Sequence, residues 1–296
     1  MEHTPIIVTG ATSQVGIFLL PRLIEAGYHI HALSRTDPAS TNRVHPLIAW
    51  HQTDISRGWK GPKIQDASHF IHLAPVWLLP DIIEDLSRLG IRRIVALSST
   101  SRFSKMNSKN LQEQEIAKKL VTAEERVIAK CNRYMISWTL LRPTLIYGCG
   151  MDRNVTMIAR FIRRFGFFPL VGNGKGYRQP VHADDVAVAC LAVLNRPVAF
   201  NRDYNLSGGQ TLTFREMVEA IFLALDKKPR IVIIPLILAA PLIKLATYTE
   251  AYRHITKEMI ERVNSDMCFD SSDAQRDFGY SPRKFRYQDR VGPAVT

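Results

Sequence analysis

Short, uninterrupted apolar runs alternate along this chain with longer stretches in which apolar residues return every three or four positions. The first run, Ile6-Ile7-Val8-Thr9, is too short for a helix and lacks polar alternation, which is the pattern of a strand buried on both faces. It leads into Gly10-Ala11-Thr12-Ser13-Gln14-Val15-Gly16, after which Ile17, Leu19, Leu20, Leu23 and Ile24 recur at helical spacing. Further strands are predicted at 28–33, 47–50, 69–73, 94–97, 135–141 and 203–206. Helices are predicted over 81–89, over 110–130 with Ile116, Leu120, Val127 and Ile128 on one side, over 155–165 and from near Asp184. Strand and helix in alternation predict an α/β fold, a doubly wound parallel sheet covered on both faces.

The pattern changes after Tyr147-Gly148-Cys149-Gly150. A helix and the glycine-rich turn Gly172-Asn173-Gly174-Lys175-Gly176 come first, then a return to the sheet. The expected organisation is a nucleotide-binding lobe over 1–150, to which 181–207 return, and a smaller C-terminal substrate lobe from 151–180 and 208–296. A ligand would sit between the lobes, beyond the carboxyl ends of the strands. The apolar run from Ile231 to Ile243 is too short to span a bilayer and carries Pro235 and Pro241, so a buried strand followed by a short helix is expected, with peripheral membrane contact as the other reading.

The 296 residues, 46% of them hydrophobic, suffice for a large core. Cysteines at 131, 149, 190 and 268 show neither zinc-ligand nor disulfide-framework spacing, so reduced, structural thiols and no metal are expected. With no signal-peptide pattern before the first strand, the expected location is cytoplasmic. A net charge of +12 is spread along the chain, apart from Arg160, Arg163 and Arg164 and from Lys227, Lys228 and Arg230, and no nucleic-acid motif accompanies it. Solvated basic faces and no nucleic-acid partner are the expectation.

The glycine turn is where chemistry enters. Gly10 lets the backbone reverse, Gly16 lets helix and strand approach closely, and the helix N-terminus presents N–H groups and positive dipole to an anion. A dinucleotide pyrophosphate is the anion such turns usually hold. The middle glycine of the usual spacing is Ser13 here. The second strand ends in Ser34-Arg35, where an acidic residue would favour the free ribose of NAD and an arginine favours a 2′-phosphate. NADP(H) is therefore expected over NAD(H).

Seven landmarks then fall in order: Thr9-Gly10…Gly16, Asp54-Ile55, His72-Leu73-Ala74-Pro75, Ser98-Ser99-Thr100, Leu141-Arg142-Pro143…Tyr147-Gly148, Gly172-Asn173-Gly174…Arg178-Gln179-Pro180-Val181-His182-Ala183-Asp184-Asp185, and Phe278-Gly279-Tyr280-Ser281-Pro282. With them the chain resembles, along nearly its whole length, the extended short-chain dehydrogenase/reductases of the NAD-dependent epimerase/dehydratase family. The resemblance implies a Rossmann-type fold and a set of roles. Thr12, Ser13, Gln14 and Val15 would join Gly10 and Gly16 at the pyrophosphate. Asp54 would accept from the adenine amino group, with Ile55 against the ring, although Asp54 also suits a simple turn. Leu73, Ala74 and Pro75 would line the nicotinamide ribose, and Arg142 and Pro143 would border the nicotinamide pocket, although Pro143 also suits a strand end. Thr100, or Ser99, would hold a substrate hydroxyl or carbonyl, and Arg178 the diphosphate of a nucleotide sugar. His182 reads as packing between lobes and Asp184 as a helix cap. Many relatives are homodimers.

Catalysis in this family uses a tyrosine and a lysine four residues later, the tyrosine taking a hydroxyl proton as hydride leaves. No tyrosine occurs between Tyr28 and Tyr134. Matching Ala123-Glu124-Glu125 to the family's small-Glu element puts Ile116 and Leu120 at the two positions, and a one-residue slip gives Glu115 and Lys119. The nearest replacement groups are Lys118, Lys119, Glu113 and Glu115, of which Glu115 and Lys119 also suit an exposed helical pair. Two functions follow: an epimerase, dehydratase or reductase acting on a carbonyl or hydroxyl compound such as a nucleotide sugar through an altered proton relay, or a non-catalytic NADP(H)-binding sensor or assembly subunit.

Overall fold

The computed structural model describes residues 5–35, 45–62, 64, 66–152, 154–235 and 263–288. Strands β1 (Ile6–Thr9), β2 (Ile30–Ser34), β3 (Ile48–Gln52), β4 (His69–His72), β5 (Arg93–Leu97), β6 (Ser137–Pro143) and, later in the chain, β11 (Arg202–Leu206) form one sheet in the order β11-β6-β5-β4-β1-β2-β3. Every pairing in it is parallel. Chain order runs outward in both directions from the β1–β4 pair, so the connections leaving these two strands diverge and open a crevice at their carboxyl ends.

Side chains alternate between the two faces, as a pleated strand requires. Ile6, Val8, Ile71 and Val95 pack under helices α1 (Gly16–Glu25) and α6 (Ala183–Ala192), while Ile7, Phe70, Ile94 and Leu140 pack under α2 (Ile83–Arg88) and α4 (Leu111–Arg133). The remaining short helix, α3 (Ser101–Ser104), follows β5. A third cluster joins Tyr147 of β7 (Ile146–Tyr147) to Val155, Ile158 and Ile162 of α5 (Val155–Phe165) and to Met217, Ile221 and Phe222 of α7 (Phe214–Ala224). Beside it, β8 (Phe168–Val171) pairs in parallel with β13 (Ile231–Ile234). Residue pairs β9 (Tyr177–Arg178) and β12 (Leu212–Thr213) run antiparallel, and β10 (Val181–His182) pairs with β7. The last described helix is α8 (Ser272–Phe278).

Four expectations need correction. Ile116 is 39% exposed, because the buried stripe of α4 runs through Ala117, Leu120, Glu124, Val127 and Cys131. The strand at 231 is not buried: Val232 and Ile233 are half exposed, since β13 pairs only with β8, and residues 236–243 lie outside the described residues. Cys131, Cys149 and Cys190 are buried free thiols, but Cys268 is exposed. At the start of α6 the cap is His182, whose Nδ1 accepts from the Asp184 amide, and Asp184 instead pairs with Arg22 and Arg283. His182 is packed edge-on between Tyr147 and Phe18, each 5.2 Å away between ring centroids.

Candidate functional site

The crevice is built from the ends of β1 and β4. Gly10 sits at φ +67°, and a Cβ there would lie 2.8 Å from the backbone of Leu73 and of Ala74. At Gly16 a Cβ would lie 2.3 Å from the Ala11 carbonyl oxygen, so the helix starts as close to the turn as two backbones permit. Ser13, at the middle glycine position, accepts the Gly16 amide on its hydroxyl at 3.2 Å and closes the turn on itself. Val15 is buried in the core, and the Gln14 Oε1, also buried, has no partner. A bare backbone cradle at a helix N-terminus fits a polyanionic ligand.

A histidine that sequence reasoning left without a role holds this cradle. His72 is wholly buried, with Nδ1 2.8 Å from the Thr9 hydroxyl and Nε2 3.1 Å from the Pro75 carbonyl oxygen. A carbonyl only accepts, so Nε2 carries the proton and Nδ1 accepts from Thr9. Burial pushes its pKa down to about 4, so the ring is neutral at pH 7 and ties the end of β1 to the Leu73-Ala74-Pro75 loop.

At the far end of β2, Ser34 is buried and Arg35 exposed, and the Arg35 carbonyl accepts from Gln52 Nε2 at 3.2 Å. Asp54 is exposed and accepts the Ser56 amide at 3.0 Å, closing a turn at the end of β3. That bond foremost, with smaller contributions from Arg35 and Arg57, holds the carboxyl below the usual carboxylate range. Arg57 is a second cation here that the sequence landmarks did not single out. Ile55 packs into the core beside Leu33 and Ile64.

Beyond β5 and β6 the polar groups bond mostly to the protein itself. Ser99 accepts the Ser101 amide at 3.1 Å, and the buried Thr100 hydroxyl donates to the Pro143 carbonyl at 3.3 Å. Fully buried Glu124 binds Arg142 through Nη2 at 2.7 Å and Nε at 3.0 Å, and also meets Ser98 and Arg102. Arg142 completes its bonds with Asp203 and lies 5.6 Å from the Phe103 ring. Its guanidinium is therefore a tie between α4, β6 and β11 rather than a free wall of a pocket. Because Glu124 faces the sheet, Leu120 one turn earlier is 4% exposed in the core, while Ile116 is turned to the outside. Lys119 points elsewhere, its Nζ 4.6 Å from the centroid of Trp77.

Arg178 is buried, and its Nη1 lies 2.7 Å from the carbonyls of both Tyr177 and Ser265, with the guanidinium carbon 5.8 Å from the Phe214 ring. Sequence reasoning passed over α7, although Thr213 and Glu216 form the reciprocal cap that a Thr-x-x-Glu spacing signals.

Residues 63–207 match the model of the NAD dependent epimerase/dehydratase family. An oxidoreductase of Bacillus subtilis named YesF, itself uncharacterized, is 24% identical over 238 residues, covering 77% of this chain and 73% of its own. The alpha subcomplex subunit 9 of the mitochondrial NADH dehydrogenase of Arabidopsis thaliana is 33% identical over 98 residues, 33% of this chain and 24% of that one. Among solved structures, the UDP-glucuronic acid 4-epimerase of Bacillus cereus in complex with UDP-glucuronic acid and NAD superposes with a TM-score of 0.73 at 14% identity, covering 95% of each chain.

Proposed function

We propose that the chain, whose residues 63–207 match the NAD dependent epimerase/dehydratase family model, works as a protein of that family: it binds NADP(H) in the β1–β4 crevice and exchanges hydride with a carbonyl or hydroxyl compound, a nucleotide sugar being the substrate class the scaffold suits. One observation carries this reading: the backbone of Gly10 lies where only a missing side chain allows, against Leu73 and Ala74, with His72 locking the two together.

In this reading the turn from Gly10 to Gly16 and the start of α1 hold the pyrophosphate. Asp54 takes the adenine edge, and Leu73, Ala74 and Pro75 take the nicotinamide ribose. Arg35, aided by Arg57, takes a 2′-phosphate. When bound, NADP(H) supplies hydride exchange at the nicotinamide ring. Thr100, already donating to Pro143, has lone pairs left with which to accept from a substrate hydroxyl. Arg178 borders the diphosphate of a substrate held by residues 151–180 and 208–296. With Ile116 and Leu120 where the acid–base pair belongs, proton transfer is slowed by about 10²–10⁴ while orientation still contributes.

Calorimetric titration with NADPH and NADH tests the coenzyme. NADPH is expected to bind more tightly, and Arg35→Asp to weaken NADPH by about 10- to 100-fold, the worth of a charge-assisted contact, while leaving NADH little changed. Equal affinities for the two coenzymes, or heat from neither, would refute it. A second reading, a coenzyme-binding subunit without turnover, is favoured by the burial of Leu120. NADPH would then raise the melting temperature, yet no nucleotide sugar would change the NADPH absorbance.

A further inference from the structure

We propose that the face formed by the end of α5, the turn into β8 and strand β13 docks on an anionic lipid bilayer. The inference is independent of the coenzyme and of any reaction.

The apolar part begins with four phenylalanines. Phe161 lies 4.6 Å from Phe165, 5.7 Å from Phe167 and 5.9 Å from Phe168 between ring centroids, so the rings form one cluster. Its outer members are not covered: Phe165 is 43% exposed and Phe167 37%. The register that sets Ile231 against Phe168 brings β13 alongside, where Val232 and Ile233 are 50% and 54% exposed. In the sequence, further apolar residues follow directly, Leu236-Ile237-Leu238-Ala239-Ala240.

Charge surrounds this surface with one sign. Residues 154–172 and 222–235 contain Arg160, Arg163, Arg164, Lys227, Lys228 and Arg230 against a single carboxylate, Asp226. The two groups that looked separate in the sequence meet in the fold. Lys227 Nζ reaches the carbonyls of Ile162 and Arg163 at 3.4 and 3.2 Å, and the Arg230 carbonyl accepts the Phe168 amide at 2.9 Å. The Arg164 guanidinium lies 5.2 Å from the Phe165 ring, so cation and apolar ring are presented together.

This pairing selects the partner. Phenylalanine, valine and isoleucine offer no hydrogen-bonding edge to a nucleic acid or an acidic polypeptide, and like charge disfavours a second copy of this chain. A bilayer with anionic headgroups satisfies both parts at once, phosphate meeting the cations while the rings enter the headgroup–acyl boundary. No helix among the described residues is long and apolar enough to cross a membrane, so the contact is with the surface.

Co-sedimentation of the full chain with phosphatidylcholine vesicles containing about 30% phosphatidylserine tests the proposal. Binding is expected with these vesicles, not with phosphatidylcholine alone, and is lost at 1 M salt, where screening is nearly complete. Each interfacial cation contributes about fivefold to partitioning, so Arg163→Gln with Arg164→Gln should lower it about 25-fold. Phe165→Ser with Phe167→Ser should also release the protein. Arg126→Gln with Arg133→Gln removes the same charge from α4 and should leave binding unchanged. Should the arginine pair fail to fold, as judged by its thermal transition, the phenylalanine pair alone decides. Absence of vesicle binding, equal loss in the α4 control, or retention on DNA or an acidic polypeptide without vesicle binding would overturn the proposal.

Discussion

His72 offers the sharpest test of how the crevice is held. The ring is buried between Thr9 and Pro75 with its pKa lowered from 6.5 to about 4, and desolvation is the main cause. Above pH 6.5 the imidazole is neutral in folded and unfolded chains alike and adds no pH dependence. As pH falls from 6.5 towards 4, the unfolded chain takes up a proton that the native site refuses, so stability is lost across that window. At about 1.4 kcal/mol per unit, the loss from His72 between pH 7.5 and pH 5 amounts to about 2 kcal/mol. His31, His51, His69 and His182 also have pKa values lowered, chiefly by burial, and add to the loss on acidification. The measurement must therefore be a double difference. Urea unfolding followed by tryptophan fluorescence, on the wild type and on His72→Gln at both pH values, isolates the contribution. The variant is expected to be less stable at pH 7.5 by about 1–3 kcal/mol, for the imperfect replacement of two buried bonds, but to lose about 2 kcal/mol less on acidification. If wild type and variant lose the same amount between the two pH values, His72 is not the neutral buried tie described here.

Gly10→Ala places a methyl group at a positive φ and against the Leu73–Ala74 backbone, and should cost about 1–3 kcal/mol of stability together with NADPH binding, as read by melting temperature and calorimetry. Glu124→Ala leaves the buried Arg142 with Asp203 alone and should destabilise by about 2–4 kcal/mol in urea, whereas the exposed Glu125→Ala should change it by less than about 0.5. Thiol titration of the native protein with a disulfide reagent should count one accessible group, Cys268, its reaction slowed because partial burial and then Asp266 raise its pKa. Cys131 and Cys190 are buried with their pKa values pushed up to about 12, Cys149 is buried too, and all three should react only after unfolding.

Local pattern made much of the fold legible. A four-residue apolar run, a glycine turn and a helical repeat are each specified by neighbours in sequence, so β1, α1 and the central strands lay within a few residues of their predicted places. The stripe of α4 was harder to read, because its buried face carries Ala117 and Glu124 while Ile116 turns outward. An exposed isoleucine and a buried glutamate defeat a hydrophobicity pattern, and only a partner such as Arg142, eighteen residues along the chain, explains the exception.

The sequence by itself determined the α/β alternation, the cradle glycines and the lack of any tyrosine between Tyr28 and Tyr134, since each is a property of residue type and short-range spacing. Tertiary structure decided the rest. It joined Thr9 to His72 across 63 residues, tied Arg142 and Arg178 to protein partners, and left Val232 and Ile233 in the open beside a phenylalanine cluster. Whether a polar side chain stays available, or an apolar one stays wet, depends on which distant groups arrive beside it, and that is settled by packing.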